Sequence, residues 1–329
     1  MGKRCLVTGA SGHVGGNLVR LLLERGFKVR AFVHNDTRAL SGLDIEKVNG
    51  NILDPSSLSP AFDGVSYAFH LAAQISVLRR DAEKVAKVNA VGTRNVVNAS
   101  LEAGVEKLVH FSSVQTFEQK PLNEPLDESR GCASVNECLP YDNSKSDSEN
   151  EVSSGIQRGL NAVIVNPTGI IGLHDYKPSY MGEVLEMLVQ RRLPAVVDGG
   201  FDWVDVRDVC LGAVAALEKG RTGQSYILSG EWLNITELSA MLEELSGVRK
   251  PLFVSPMWLA RTAAVFTPAW SGITGSRALF TSESLSILRT SNRNISHAKA
   301  TSELDYQPRP IRNTLCDWYA WYKEMKTRS

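Results

Sequence analysis

The feature that most constrains the fold is a glycine-spaced turn near the start of the chain. Residues 8–15 read TGASGHVG, follow an apolar run over 5–7 and come directly before a helical stretch. This spacing gives one glycine for a tight turn, one for close approach of the backbone to a pyrophosphate and one for close helix–strand packing. The first amides of the helix would then face the phosphates, where the helix dipole favours negative charge. Because strand, turn and helix occur in the required order, the pattern predicts a dinucleotide-binding unit.

Strand-like and helix-like segments alternate through about the first 230 residues. A helix is predicted over 14–25, where apolar residues recur at helical spacing and Gly26 follows as a left-handed cap. Strands are predicted over 5–7, 29–33, 45–48, 67–71, 108–111, 162–165 and 226–228. Such alternation predicts an α/β fold with a parallel sheet. From about residue 231 the strand signals fade, and a mainly helical remainder is predicted.

The charge balance excludes whole classes of partner. The 329 residues carry 36 Lys and Arg against 36 Asp and Glu, a formal net charge of zero at pH 7. Nucleic-acid binders usually show a basic excess that neutralises phosphates, so no nucleic acid is expected. No apolar run reaches the roughly 18 residues that a membrane span needs, and no signal-peptide pattern opens the chain. We therefore predict a cytoplasmic protein without a membrane span.

The cysteine and histidine patterns argue against disulfides and metal. The cysteines are odd in number and scattered, which indicates free thiols: Cys5, Cys132, Cys138, Cys210 and Cys316. Only Cys132 and Cys138 lie close together, and no second cluster accompanies them, so no metal site is predicted. His70 and His110 fall in strand-like runs without partner ligands, and we interpret both as packed or hydrogen-bonded histidines.

The end of the second strand bears on the choice of nicotinamide coenzyme. An Asp there would bond the adenosine ribose and repel a 2′-phosphate. The sequence instead has His34, with Arg38 four residues beyond. A cation in reach and no carboxylate at that position favour NADP(H) over NAD(H), and Asp36 is the counter-argument.

A serine pair and a Tyr/Lys pair form the candidate catalytic set. Ser112 and Ser113 follow a buried strand, and Tyr141 and Lys145 are four apart, so they share one face of a helix. A free phenol, with a pKa of about 10, is a poor base near neutral pH, whereas a neighbouring ammonium favours its ionised form. Tyr141 could then exchange a proton with a carbonyl oxygen while a hydride moves to or from the coenzyme.

Motifs in these positions resemble, in the same order, those of extended short-chain dehydrogenases/reductases of the NAD-dependent epimerase/dehydratase superfamily. They are TGASGHVG at 8–15, FHLAA at 69–73, NAVGT at 89–93, FSS at 111–113, YDNSK at 141–145, NPTG at 166–169 and VDVRD at 204–208. The chain looks most like the dihydroflavonol-4-reductase-like and 3β-hydroxysteroid-dehydrogenase-like branch. The resemblance implies a Rossmann-type doubly wound parallel sheet with a smaller, mainly helical C-terminal substrate lobe, and an oxidoreductase acting on CH–OH groups.

The resemblance also assigns roles to individual residues. It implies Tyr141 as general acid, Lys145 as the group that lowers the Tyr141 pKa and bonds the nicotinamide ribose, and Ser113 as donor to the substrate carbonyl. Asn51 stands where the family usually has an Asp at the adenine edge, and Asn89 is expected to brace a helix. The implied cofactor-binding residues are Gly9, Ser11, Gly12, His13, Val14, Gly15, His34, Arg38, Asn51, Ile52, Leu71, Ala72, Ala73, Tyr141, Lys145, Pro167 and Thr168.

Two departures from the family pattern bear on the substrate. Relatives acting on nucleotide sugars carry an Arg just before the motif at 204–208 to clamp a diphosphate, whereas Phe201 stands near that place. Sugar dehydratases have an Asp-Glu pair after the catalytic hydroxyl residue, whereas Val114 and Gln115 follow Ser113. We therefore expect reduction of an apolar or aromatic ketone or aldehyde, or oxidation of the secondary alcohol. The expected pocket comprises Gln74, Ile75, Gln115, Phe201 and the segment 176–181.

Two other functions stay open from the sequence. A nucleotide-sugar 4-epimerase would keep the same Ser, Tyr and Lys and hold NAD tightly. A non-catalytic dinucleotide sensor is a further alternative, although such relatives usually lose the Tyr or the Lys, and this chain has both.

The predicted organisation is an NAD(P)-binding domain over 1–170, to which later strands from about 203–230 return, and a substrate lobe from about 171–202 and 231–329. The family resemblance implies a homodimer through the helices that follow Val85 and Asn143. We interpret the apolar segment 257–266 as core of the second lobe, with a pocket cap or a membrane contact as alternatives.

Overall fold

Strands and helices alternate along most of the chain in the computed structural model, which describes residues 2–76, 78–133, 139–193, 195–256, 258–260, 288 and 291–328. The strands are β1 (Arg4–Thr8), β2 (Lys28–Val33), β3 (Glu46–Asn49), β4 (Tyr67–His70), β5 (Lys107–Phe111), β6 (Ala162–Pro167), β7 (Gly169–Ile171), β8 (Ala195–Val197), β9 (Gly200–Asp205), β10 (Ser225–Leu228), β11 (Glu231–Asn234) and β12 (Phe253–Ser255). The helices are α1 (His13–Glu24), α2 (Pro55–Phe62), α3 (Ala82–Ala86), α4 (Gly92–Glu102), α5 (Pro140–Gln157), α6 (Tyr180–Val189), α7 (Val206–Lys219), α8 (Ile235–Ser246), α9 (Ala298–Leu304) and α10 (Ile311–Arg328). A π-helical turn over Lys87–Val91 joins α3 to α4.

The largest sheet has seven strands in the order β10-β6-β5-β4-β1-β2-β3. Its strand pairs are parallel, so each needs a crossover connection, and helices cover both faces. The strand order reverses between β1 and β4. In sheets of this kind ligands bind in the crevice beyond the carboxyl ends of the strands at that point. The predicted α/β doubly wound parallel sheet is therefore confirmed.

Alternation along the strands builds one core on each face of this sheet. In β1, Cys5 and Val7 point to the face covered by α1 and α7, whereas Leu6 points to the face covered by α2, α4 and α5. The predicted helix over 14–25 is α1, and Gly26, with a φ of 78°, forms the left-handed cap after it. Packing on both faces of the sheet thus holds β1, the strand from which the glycine turn starts.

A second group of elements forms smaller sheets. β11, β9 and β7 make a three-stranded sheet, and β12 pairs with β8. α6, α8 and α10 pack around a third core, in which Trp203, Leu238 and Trp318 are fully buried. The helical C-terminal region that the sequence predicts is present as α8, α9 and α10.

The two groups of elements interleave along the chain. β10 pairs with β6 in the large sheet, and Ala300 and Leu304 of α9 pack into the core that α1 and α7 share. The division into domains given above stays a prediction. Across the part of the chain that is described, no helix combines the length and the apolar content needed to cross a bilayer.

Some sequence predictions concern residues that the structure describes only in part. Cys5, Cys132, Cys210 and Cys316 are free thiols, as predicted, whereas Cys138 lies outside the described residues. The apolar segment 257–266 is described only at 258–260, so its predicted place in the core of the second lobe lies largely outside the described residues too.

Candidate active site

The glycine turn closes tightly between β1 and α1. A Cβ on Gly9 would lie 2.7 Å from the Ala72 nitrogen, and a Cβ on Gly15 would lie 2.2 Å from the Gly9 oxygen, so backbone atoms exclude side chains at both positions. Gly12, the N-cap of α1, offers no side chain to the first amides of the helix. These donors and the positive end of the helix dipole are open to an anion. The turn therefore fits the pyrophosphate of a dinucleotide. The predicted cofactor-binding residues Ser11 and Val14 also belong to this turn.

His13 ties the glycine turn to the loop that follows β7. Its Nε2 lies 3.0 Å from the Leu173 oxygen, and Asn17 donates to the same oxygen over 2.8 Å. Its Nδ1 lies 3.8 Å from the carboxylate of Asp175, which is buried. The side chain of His13 is thus engaged by protein, so contact with a cofactor would come through its backbone amide.

A buried polar chain forms the floor of the crevice between β1 and β4. The Thr8 hydroxyl oxygen lies 2.7 Å from His70 Nδ1, and the Ala72 amide donates to it over 3.3 Å. His70 Nε2 lies 2.9 Å from the Thr93 hydroxyl, which donates to the Asn89 oxygen. Burial, together with the nearby Lys145 charge, lowers the pKa of His70 to about 3. His70 is therefore a neutral, packed histidine, as predicted; among the described residues no three metal-ligating side chains are grouped.

The loop after β2 holds an ion pair where the adenosine ribose is expected. Arg38 donates from Nη2 to Asp36 over 2.7 Å and from Nε over 3.1 Å. These bonds, with a smaller effect of Lys177, lower the pKa of Asp36 to about 2. His34 and Arg38 are exposed. Lys177, from the loop before α6, is a cation near this site that the sequence did not single out, because only folding brings it close to Asp36.

The other predicted cofactor residues lie at or just after the carboxyl ends of β3, β4 and β6. Asn51 accepts from the Leu53 amide over 3.0 Å and is exposed, and Ile52 packs beneath Gly92 at the start of α4. Pro167 ends β6, and the Thr168 hydroxyl donates to the buried Asp202 over 2.6 Å. Leu71, Ala72 and Ala73 follow β4 and are half-buried.

Ser113, Tyr141 and Lys145 belong to elements that are bonded to one another. Lys145 donates through its ammonium to the Phe111 oxygen at the end of β5, so α5 is fastened two residues before Ser113. Ser113 caps the short turn over Val114–Thr116, where its hydroxyl accepts from the Gln115 amide over 3.2 Å. Tyr141 and Lys145 lie one helical turn apart on α5.

A clasp around Asn89 fixes the first turn of α5. The Asn89 amide donates to Ser144 Oγ over 2.8 Å and to the Gln74 oxygen over 3.0 Å, and it accepts from the Gln74 amide. Ser144 in turn donates to the Tyr141 oxygen over 2.6 Å. Asn89 thus braces the helix that carries Tyr141, as expected from the sequence.

Burial governs the ionisation of Tyr141 and Lys145. Burial raises the pKa of the Tyr141 phenol well above its usual value, and Asp142 adds to the rise, so the lowering of this pKa by Lys145 that the resemblance implies is not seen. Burial lowers the pKa of Lys145 to about 8, and the Glu149 charge opposes that fall. A protonated phenol one helical turn from an ammonium that titrates near pH 8 can donate a proton to an oxygen in the crevice.

The predicted substrate residues are spread more widely. Gln74 lies at the Asn89 clasp, and the neighbouring Ile75 is 50% exposed. Gln115 is in the turn after Ser113. Phe201, on β9, packs edge-on against Trp203 with ring centroids 5.6 Å apart and is half-buried against the third core.

Comparison with known proteins gives consistent matches. A model described as the NAD dependent epimerase/dehydratase family matches residues 5–229. The chain is 36% identical over 326 residues to Sterol demethylase protein B of Methylococcus capsulatus, covering 97% of this chain and 98% of that protein. It is 37% identical over 264 residues to a putative dihydroflavonol 4-reductase of Synechocystis, covering 78% and 77%. The crystal structure of gox2253 superposes with a TM-score of 0.85 at 34% identity over 98% of both chains.

Proposed function

The chain belongs to the NAD dependent epimerase/dehydratase family, within the extended short-chain dehydrogenases/reductases, and from that premise we propose an NADP(H)-preferring carbonyl reductase. It would reduce a ketone or aldehyde of an apolar or aromatic small molecule, or oxidise the corresponding secondary alcohol. The observation that carries the proposal is the bond from Lys145 to the end of β5, which holds Tyr141 and Ser113 on elements beside the crevice of the glycine turn.

The residues of the crevice fit a nicotinamide dinucleotide. The tight turn at Gly9 and Gly15 and the open amides of α1 would hold its pyrophosphate, and Lys145 would bond its nicotinamide ribose. When bound, the coenzyme supplies or accepts a hydride. The hydroxyls of Ser113 and Tyr141 would bond the substrate carbonyl oxygen, and the Tyr141 hydroxyl would donate its proton to that oxygen as the alcohol forms.

The charge state of the site at neutral pH favours reduction of the carbonyl over oxidation of the alcohol. Because burial holds the Tyr141 pKa above its usual value, Tyr141 is protonated at neutral pH and ready to donate. Oxidation needs the ionised phenol as proton acceptor. The ammonium of Lys145 stabilises that form, so oxidation depends on Lys145 staying charged.

The proposed substrate class rests on the relatives and on the departures from the sugar enzymes. The two relatives named above carry the words sterol demethylase and dihydroflavonol reductase, which both point to ring systems of low polarity. Phe201 supports the same class, since an aromatic ring near that place cannot form the charged bonds that a nucleotide diphosphate needs.

The proposed coenzyme preference rests on charge. Arg38 and Lys177 supply positive charge near the end of β2, whereas Asp36 already binds Arg38. A 2′-phosphate would compete with the Asp36 carboxylate for the guanidinium. We therefore expect NADPH to bind more tightly than NADH by a modest rather than an absolute margin.

The first test combines coenzyme titrations with a substrate panel. NADPH and NADH are titrated by fluorescence, and oxidation of the preferred coenzyme is then followed with aromatic, steroid-like and aliphatic ketones and aldehydes. Tyr141→Phe should lower turnover roughly a hundredfold to ten-thousandfold while coenzyme affinity stays unchanged, since only the proton donor is lost. Equal turnover in variant and parent would overturn the role of Tyr141. Stoichiometric copurified NAD with interconversion of a UDP-sugar would favour the epimerase instead.

The remaining properties stay predictions. The homodimer is inferred from family resemblance, and the cytoplasmic location from the lack of a long apolar run and of a signal-peptide pattern in the sequence. Each is independent of the proposed reaction, so each can fail without affecting it.

A further inference from the structure

Three buried or half-buried side chains join the elements that carry the candidate catalytic residues. Asn166 on β6 donates from Nδ2 to Glu149 Oε1 on α5 over 2.8 Å and to the Ser113 oxygen over 3.1 Å. The Thr116 hydroxyl lies 3.0 Å from the same Glu149 oxygen and 2.8 Å from the Ser113 oxygen. The joint therefore ties β6, the turn that Ser113 begins and the helix of Tyr141 and Lys145 at one place.

The hydrogen bonds of this joint, formed by Asn166, Thr116 and Glu149, are shielded from solvent and include one charged group. Asn166 is fully buried and Thr116 is 1% exposed, so the bonds between them are little weakened by water. Asn166 Oδ1 has no hydrogen-bond partner among the described residues. The Glu149 carboxylate and the Ser113 carbonyl both accept and cannot donate, so together they turn the nitrogen of the Asn166 amide, rather than its oxygen, toward them, and Glu149 is the charged member of the two.

Glu149 also lies one helical turn beyond Lys145 on α5, on the same helix face. We propose that Glu149 is a positioning residue for the reaction proposed above: it holds Ser113 against α5 through Asn166 and Thr116, and it places a compensating negative charge beside the Lys145 ammonium. The proposal rests on the proposed function only for the roles of Ser113, Tyr141 and Lys145.

The other charged or titratable groups near Lys145 do not take this place. His70 on β4 and His110 on β5 are buried, their pKa values are lowered, and the Lys145 charge contributes to both shifts, so both are neutral. Tyr141 is held protonated by burial, and Asp142 acts on Tyr141. Glu149 is the acidic group whose charge favours the protonated form of Lys145.

The electrostatic part is tested on Lys145 itself, without any substrate. Cyanate carbamylates neutral amines, so the extent of labelling at Lys145, read by peptide mass spectrometry across a pH series, reports its titration. Glu149→Gln should move the labelling midpoint down by about half to one pH unit, because the variant keeps the size and hydrogen-bonding capacity of the side chain but loses its charge. Glu151→Gln is the matched control: Glu151 lies on the same helix and pairs with Arg94 over 2.6 Å at the surface.

An unshifted midpoint in Glu149→Gln, or an equal shift in Glu151→Gln, would overturn the electrostatic role. If Glu149→Gln does not fold, Glu149→Asp serves instead: it retains the charge and should keep the midpoint of the parent, and a lowered midpoint there would count against the proposal. A shifted midpoint together with a substrate panel that shows no turnover would overturn the proposed reaction but support the charge pairing.

The geometric part is tested by Thr116→Val, which removes one hydroxyl from the joint and no charge. We expect kcat of the active carbonyl substrate to fall roughly tenfold to a hundredfold through displacement of Ser113, with coenzyme affinity and the Lys145 midpoint unchanged. A fall in coenzyme affinity of the same size as the fall in kcat would indicate general loosening of the fold and would overturn the positioning role.

Discussion

Burial shifts the pKa values of individual side chains along the crevice, lowering that of a lysine and raising that of an aspartate. The pKa of Lys145 falls to about 8 and that of Asp202 rises to about 6, in each case mainly because burial disfavours the charged form. Asp36 shows the reverse at the surface, where bonds from Arg38 lower its pKa to about 2. The charge of the site at neutral pH is therefore set residue by residue, and the zero net charge of the whole chain does not describe it.

Asp202 gives a prediction on stability. Its folded pKa of about 6 lies above its usual 3.8, so its stabilising contribution is fully present below about pH 3.8 and is lost as the pH rises through about 6. Asp202→Asn keeps an oxygen to accept from Thr168 and Gly230 and does not titrate. Relative to the parent, it should therefore gain about 2 to 3 kcal/mol in free energy of unfolding between about pH 4 and pH 7.5.

Urea unfolding of both proteins at the two pH values measures this gain. Asp36→Asn is a control without this pH dependence: the Asp36 pKa is lowered to about 2, so its contribution is lost only below about pH 3.8 and changes little between the two pH values. A difference between Asp202→Asn and the parent that does not grow with pH would mean that Asp202 is not held protonated by the fold.

Residues within motifs could be predicted from the sequence, whereas residues brought together by distant segments could not. Ser113, Tyr141 and Lys145 stand out in the sequence because their spacing suggests the chemistry, and their catalytic roles stay predictions. Glu149 and Lys177 carry no such signal: each is one of many surface-type charges, and only the packing of α5 on β6, and of the loop before α6 near β2, gives them partners.

At the scale of elements, the strands of the large sheet and the amphipathic helices were predictable, and the strands of the two small sheets were not. The strand predicted over 45–48 is observed as β3, shifted by one residue, and α1 starts one residue earlier than predicted. β7, β8 and β12 have three residues each, too few to show a period of two, and their pairing depends on neighbours far along the chain. This is why the second lobe was predicted as mainly helical without its small sheets.

The turn between β1 and α1 gives the prediction at this scale. Gly15→Ala places a methyl group 2.2 Å from the Gly9 oxygen, and that backbone atom cannot move without opening the turn. We expect coenzyme affinity to fall roughly a hundredfold, since the amides at the start of α1 would lose their alignment. Coenzyme titration by fluorescence and thermal unfolding measure the two effects.

Gly16→Ala is the matched control for this turn. Its methyl group would meet the Ala39 Cβ at 3.1 Å, a contact that is relieved by a shift of a few tenths of an ångström in the short turn over Arg38–Leu40 and does not press on the glycine turn itself. Coenzyme affinity near that of the parent is therefore expected for Gly16→Ala. An equal loss in both variants would show that crowding along α1, and not closure of the turn, limits binding.

In the molecule as a whole, ion pairs at the start of α7 hold the C-terminal elements against the rest of the protein. Arg309 donates to Asp208 over 3.0 Å and 2.8 Å, and Arg207 pairs with Asp317 of α10 over 2.8 Å. α7 at the same time buries its apolar side against the large sheet. The residues beyond the family match at 5–229 are therefore anchored on an element inside it.

The predicted homodimer can be argued from the surface of the helices expected to form it. The exposed residues of α3, the π-helical turn, α4 and α5 are polar: Glu83, Lys84, Lys87, Arg94, Glu102, Asp147, Asn150, Ser153, Ser154 and Gln157. A dimer through this face would gain little from apolar burial and would depend on pairs between opposite charges, which salt screens.

We therefore expect light scattering to give twice the 36.0 kDa of the chain at about 0.1 M salt and a mass near 36.0 kDa at about 1 M, where the Debye length falls from about 10 Å to about 3 Å. Circular dichroism at both salt concentrations controls for unfolding. A single-chain mass at about 0.1 M would contradict the homodimer. A double mass at both concentrations would place the contact on another, apolar face, because only an association that does not depend on charge survives the screening.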